Sequence, residues 1–132
     1  MIGKTLVIAA GMVVIGWASV PLAAQVTELA MLDALAPGLW EMRPRDGGTR
    51  RTICVRNGRD LIQLQHRQAG CTRFVVQDDP GEVTVQYTCR GDGYGRTTIR
   101  SEGSNLVQLR SQGSQGGLPF AIEGEVRRTG SC

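Results

Sequence analysis

Few residues in this chain have types and spacings that could do chemistry. They are four cysteines, one histidine, two alternating glutamates and a glycine-rich stretch around an Arg-Gly-Asp triplet. His66 is the only imidazole, and its neighbours Gln65, Arg67 and Gln68 make it read as a solvated side chain on a helix rather than a general base. Glu123 and Glu125 alternate along an extended stretch and can share one side, where sheet carboxylates usually meet solvent. "GSQGG" lacks the spacing of a nucleophile elbow. "CRGDGYGR" (89–96) has G-x-G-x-G spacing, and the strand-like "RTTIRS" follows it. A dinucleotide cradle needs G-x-G-x-x-G opening a helix, so the stretch reads as a flexible turn of three glycines and Asp92 between strands.

Cys54, Cys71, Cys89 and Cys132 contain no C-x2-C pair, and with one histidine they do not make a zinc site. Thiols committed to disulfides supply no nucleophile. The sequence therefore offers no catalytic, metal-binding or cofactor-binding residue and reads as a non-enzyme without a cofactor.

The N-terminus, "MIGKTLVIAAGMVVIGWASVPLAAQ", places Lys4 before an uncharged run and then small residues beside Pro21. This is the layout of a secretory signal, with a cut expected after Ala24. No stable membrane span is expected after the cut. The address is then periplasmic or secreted, where an even cysteine count implies disulfides. The domain plan is a signal over 1–24, a short segment over 25–36 and one domain over 37–132.

The formal charge is +3, but its distribution says more than the total. Residues 43–73 hold eight arginines against Asp46 and Asp60, a net of +6. Residues 74–125 hold four arginines against seven acids, a net of −3. Arg43, Arg45, Arg50, Arg51, Arg56 and Arg59 are the candidate contacts to an anionic partner. Nucleic acid is excluded as a partner, since no aromatic residues interleave with the basic ones.

The elements that must position these residues are mostly strands. Val26, Leu29, Leu32 and Leu35 recur as on one face of a short helix ended by Pro37-Gly38. "LWEMR" and "TRRTICV" form a first hairpin with Trp40 and Met42 on one side. Asn57, with Asp60 three residues on, caps a helix expected from about Gly58 to Arg67. In "CTRFVVQDDPGEVTVQYTC", Asp79-Pro80-Gly81 turns between β-branched flanks. A register in which paired numbers sum to 160 sets Cys71 opposite Cys89, Val75 opposite Val85 and Gln77 opposite Val83, and gathers Val75, Val83, Val85 and Tyr87 on one face. The remaining pair is then Cys54 with Cys132, although four cysteines allow three pairings. "TTIRS" and "LVQLRS" pair Ile99 with Leu109 and Ser101 with Val107 around Gly103-Ser104-Asn105, with Asn105 suited to the left-handed position. "SQGSQGG" reads as a loop, and "LPFAIEGEVRR" as a closing strand with Phe120, Ile122 and Val126 on one face. The fold class is mainly β with one or two short helices: a curved antiparallel sheet or half-barrel of six to seven strands, stapled by disulfides.

The series "APGLWEM", "ICV", "GCTRFVVQDDPGEVTVQYTCRGDG" and "RRTGSC" over residues 37–132 resembles the bacterial exported family called domain of unknown function 3617. All four cysteines keep the family's order. The resemblance implies an exported, disulfide-bonded, β-rich domain of Gram-negative bacteria, and it brings no activity or catalytic residue to carry over. "RPRDGGTR" is short where the family often carries a Met- and Pro-rich insertion, and the arginine load is unusual.

Two functional readings follow. The first is a carrier of an apolar or lipid-like ligand in the envelope, with Trp40, Met42, Phe74, Val76 and Phe120 lining an apolar face. The second is an interaction protein docking an envelope protein or anionic glycolipid through the arginine-rich half.

Overall fold

A computed structural model describes residues 28–132, so the expected signal and Val26 lie outside the described residues. The strands are β1 (Gly38–Pro44), β2 (Arg51–Val55), β3 (Thr72–Asp78), β4 (Glu82–Cys89), β5 (Gly93–Ser101), β6 (Leu106–Gln115) and β7 (Leu118–Gly130). They form one antiparallel open sheet in the order β2-β1-β7-β6-β5-β4-β3. Strands β3 to β7 run as a meander, and β1 completes the sheet by pairing with the last strand.

Alternation decides which face is covered. Trp40, Met42, Ile53, Val55, Val83, Val85, Tyr87, Ile99, Val107, Leu109 and Val126 are all buried on one side. The cover comes from the chain itself. Helix α1 (Ala30–Asp33) and its flanks bring Leu29, Leu32 and Leu35, and the segment after β2 brings Leu61, Ile62 and Leu64. Each fully buried leucine or isoleucine contributes on the order of 1.5–3 kcal/mol. The opposite face is polar: its rows read Glu82, Arg100, Gln108 and Glu125, then Gln86, Arg96, Gln112 and Ala121.

Both expected disulfides are present, Cys71–Cys89 with Cα atoms 4.3 Å apart and Cys54–Cys132 at 5.7 Å. The β5–β6 register holds as expected, with Ile99 opposite Leu109 and Ser101 opposite Val107. Val75 meets Val85, but a bulge at Val76 then slips the pairing, so Gln77 meets Thr84 rather than Val83. The extra residue turns Asp78 toward the covered side, where its carboxylate accepts the Leu29 amide at 2.9 Å and ties α1 to the sheet.

Both expected helices are shorter than their apolar spacing suggested. Leu29 adopts φ 59°, a left-handed conformation that stops α1 from extending backward. Asn57 does cap the second segment, but only a 3₁₀ turn forms, Gly58–Leu61. The Thr97 hydroxyl donates to the Ile62 carbonyl at 2.7 Å, so the His66 amide bonds instead to Gln63. A helix would have needed that carbonyl for His66.

The loop expected over "SQGSQGG" is strand up to Gln115. Gly116 and Gly117, at φ 56° and 82°, make a two-residue turn into β7 that requires positive φ at both positions. No apolar signal marks this stretch, because its flanking strands hold it through backbone bonds. In the β5–β6 loop Gly103, not Asn105, takes positive φ, and the Asn105 carbonyl accepts the Arg128 amide.

Candidate functional site

The stretch "CRGDGYGR" is a turn followed by a strand. The Asp92 amide closes the turn on the Cys89 carbonyl at 3.0 Å, with Gly91 at φ 80°. Gly93 and Gly95 lie within β5 rather than in a flexible connection. The Asp92 carboxylate accepts Gln68 Nε2 at 3.0 Å, so the acid of the Arg-Gly-Asp triplet is engaged within the fold.

His66 overturns its expectation as a solvated residue: it is fully buried. One row across four strands reads Tyr87, Gly95, Gly113, Phe120. Gly95 leaves a trough beside the aromatic residues, while Gly113 lets its strand approach the β5 backbone, where a Cβ would overlap the Tyr94 carbonyl. The Tyr87 ring lies over Gly95, where a Cβ would overlap its hydroxyl, and His66 fills the rest with ring centroids 5.3 Å from Tyr87 and 5.7 Å from Phe120. His66 Nδ1 lies 2.9 Å from the Tyr87 hydroxyl, and Nε2 is buried without a protein partner. Burial pushes the Tyr87 phenol up from its ordinary pKa, against a smaller opposite effect of its hydrogen bond with Ser111. Thr97 and Ser111 hydroxyls pair at 2.7 Å beside it. The sequence did carry a signal for this pocket: Gly95 in register with Tyr87 implies a hole that something must fill.

The five residues expected to line an apolar site do not come together. Trp40 and Met42 are core residues, and the Trp40 indole donates to the Ala36 carbonyl at 2.9 Å. Phe74 is 70% exposed and Val76 40%, both on the edge strand β3. Phe120 is half-buried against His66.

The arginines also divide. Arg43, Arg45 and Arg50 stand around β1 and its turn, with Arg43 and Arg50 against Glu41 and Arg45 against Glu123 at 2.8 Å. Arg51 has no carboxylate within ion-pair distance among the described residues. Arg56 and Arg59 belong to the opposite end of β2. Arg59 is structural: it grips both Asp33 oxygens at 2.8 and 2.9 Å and donates to the Glu28 carbonyl, locking α1 to the 3₁₀ turn. Its hydrogen bond and that of Asn57 hold the Asp33 carboxyl below its usual range. Glu123 and Glu125 pair with Arg45 and Arg127 on the exposed face.

Two disulfides fit an oxidising compartment, and no helix among the described residues is long and apolar enough to cross a membrane. No curated protein and no solved structure matches the chain. The family model described as "Protein of unknown function (DUF3617)" matches residues 35–132, the span that contains all seven strands and both disulfides. The chain belongs to that family.

Proposed function

We propose that this protein is a non-catalytic docking domain of the periplasm or cell exterior, binding an anionic partner of the envelope through arginine side chains. The observation that carries this reading is the filled sheet face. Leu29, Leu32, Leu35, Leu61, Ile62 and Leu64 occupy the apolar surface that a lipid carrier would need to keep open. What remains outside is mostly polar, arginine-bearing surface with Phe74, Val76, Tyr94 and Leu118 as its exposed apolar residues. Arg51, Arg67, Arg73, Arg90, Arg96 and Arg110 have no carboxylate within ion-pair distance among the described residues. The absence of catalysis is part of the proposal: the sole histidine is sealed in the core with Tyr87 as its side-chain hydrogen-bond partner.

Salt separates this reading from a carrier. Sedimentation with phosphatidylglycerol vesicles should exceed that with phosphatidylcholine vesicles and fall steeply between 0.05 and 0.5 M salt, roughly the range over which screening becomes short-ranged. Equal, salt-independent binding to both vesicle types, or tight uptake of a fatty-acid probe, overturns it.

A further inference from the structure

A cleft of about 450 Å³ opens between the two disulfides, with Arg56, Arg67, Arg73, Gln63 and His66 among its walls. Its sole carboxylate is Asp60, which is already committed. One Asp60 oxygen accepts the Arg56 and Asn57 amides at 3.0 and 3.4 Å, and the other faces the Arg56 guanidinium at 3.5 Å. Arg73 is different. Its Nε donates at 2.7 Å to Gln63 Oε1, and the buried Gln63 is itself fixed by donating to the His66 carbonyl at 3.0 Å. The fork is thus aimed while its two terminal nitrogens have no protein acceptor among the described residues. Arg73 is exposed at its surface, while partial desolvation lowers its pKa and repulsion from Arg59 adds to that against the opposite pull of Asp60. Arg67 stands exposed without an ion pair.

Two other arginine-lined clefts lie where Arg45 and Arg110 meet Glu123, so they bring their own acid, and a third has Arg96 as its one arginine. Of these four clefts among the described residues, the one between the disulfides combines several arginines with a spent carboxylate.

We infer that this cleft is a binding site for a phosphoryl group carried on a small polar body, held by Arg73 and Arg67 with Arg56 at the rim. Guanidinium forks match the oxygens of phosphate in paired hydrogen bonds, and the volume leaves room for a headgroup or sugar beyond the phosphate. The two disulfides fix the walls, so little ordering is needed on binding. The inference rests on the docking reading above and narrows it to one place.

The test is an amide NMR titration of the full domain with inorganic phosphate, alongside phosphatidylglycerol vesicle binding. Phosphate should shift resonances of residues 63–73 first. Arg67→Gln, which removes no internal hydrogen bond, should weaken that binding several-fold, and Arg73→Gln about tenfold or more. Arg73→Lys, which keeps the charge and loses the fork, controls for folding and should still lose most of the affinity. An Arg43→Gln, Arg45→Gln, Arg50→Gln triple variant should leave it unchanged. A parallel loss of vesicle binding identifies a lipid headgroup as the source, and intact vesicle binding identifies a free phosphate ester; either supports the site. Phosphate shifts scattered over all arginines, or unaffected by Arg67→Gln and Arg73→Gln, overturn the cleft while salt-sensitive vesicle binding keeps the docking reading. Loss of both phosphate and vesicle binding in the native protein overturns both.

Discussion

Replacing Gly95 by alanine probes the packing of the sheet's covered face at a single atom. A Cβ at this position would overlap the Tyr87 hydroxyl and Cζ. Tyr87 cannot swing away freely, because it is fully buried, and His66 packs edge-on against it. Relief requires either a shift of the β4–β5 pairing or a displaced ring. Overpacking of this kind costs about 1–3 kcal/mol. Displacement also breaks the 2.9 Å bond to His66 Nδ1. Leaving that buried nitrogen unsatisfied adds about 1–3 kcal/mol. A total of about 2–6 kcal/mol is a large part of the 5–15 kcal/mol typical of small domains. For a domain near this size it lowers Tm by about 10 °C or more. Thermal and urea unfolding followed by circular dichroism measure it. A Gly95→Ala protein within about 0.5 kcal/mol of native would refute the claim that Tyr87 and His66 are fixed over the glycine trough.

Other outcomes follow from the same structure. The disulfides close sequence separations of 18 and 78 residues, and removing them as Cys71→Ala/Cys89→Ala or Cys54→Ala/Cys132→Ala should cost about 3 and about 4.5 kcal/mol in unfolding titrations; unchanged midpoints would contradict this. Arg59→Gln should cost about 1 kcal/mol or less at pH 7, since the Asp33 pair is partly exposed. The Asp33 carboxyl is depressed in the folded state, so its contribution is present above the ordinary pKa of about 4 and is lost as pH falls through the folded value. The gap between native and Arg59→Gln should therefore close in melts near pH 2. Tyr87 is raised, so its contribution is present below about pH 10 and lost as pH rises through the folded value. Tyr87→Phe should flatten the alkaline fall in stability, and an unaltered profile would argue against burial as the cause.

The β-rich class, the first hairpin, the Cys71–Cys89 disulfide and most of the β3–β4 and β5–β6 registers were legible because each rests on alternation and turn chemistry within about twenty residues, and Cys54–Cys132 followed as the pair left over. The errors lie where distant groups intervene. The 58–67 helix is cut short by a hydroxyl from β5, Thr97, that no local pattern reveals. The β3 register slips because Asp78 is needed by Leu29 far away in the chain. His66 looked solvated beside Arg67 and Gln68, yet it packs between Phe120 of β7 and the Tyr87 ring that lies over Gly95 of β5. The arginine stretch looked like one basic face because charge was counted along the chain. In the fold β2 carries its two ends apart, and Arg59 turns inward onto Asp33. The disulfide cleft joins Arg56 to Arg67 and Arg73 by a path through both β2 and β3, and spacing alone does not show it.

The central claim is that the chain covers its own apolar sheet face and leaves arginines for binding. Native mass spectrometry of the protein exported with its own N-terminus, and released gently, tests that most directly. A bare chain that takes up phosphatidylglycerol headgroup analogues and releases them with added salt is the result expected. A hydrocarbon-bearing mass that co-purifies, survives salt and leaves only on denaturation would show that the sheet face opens to a lipid, and the claim would fall.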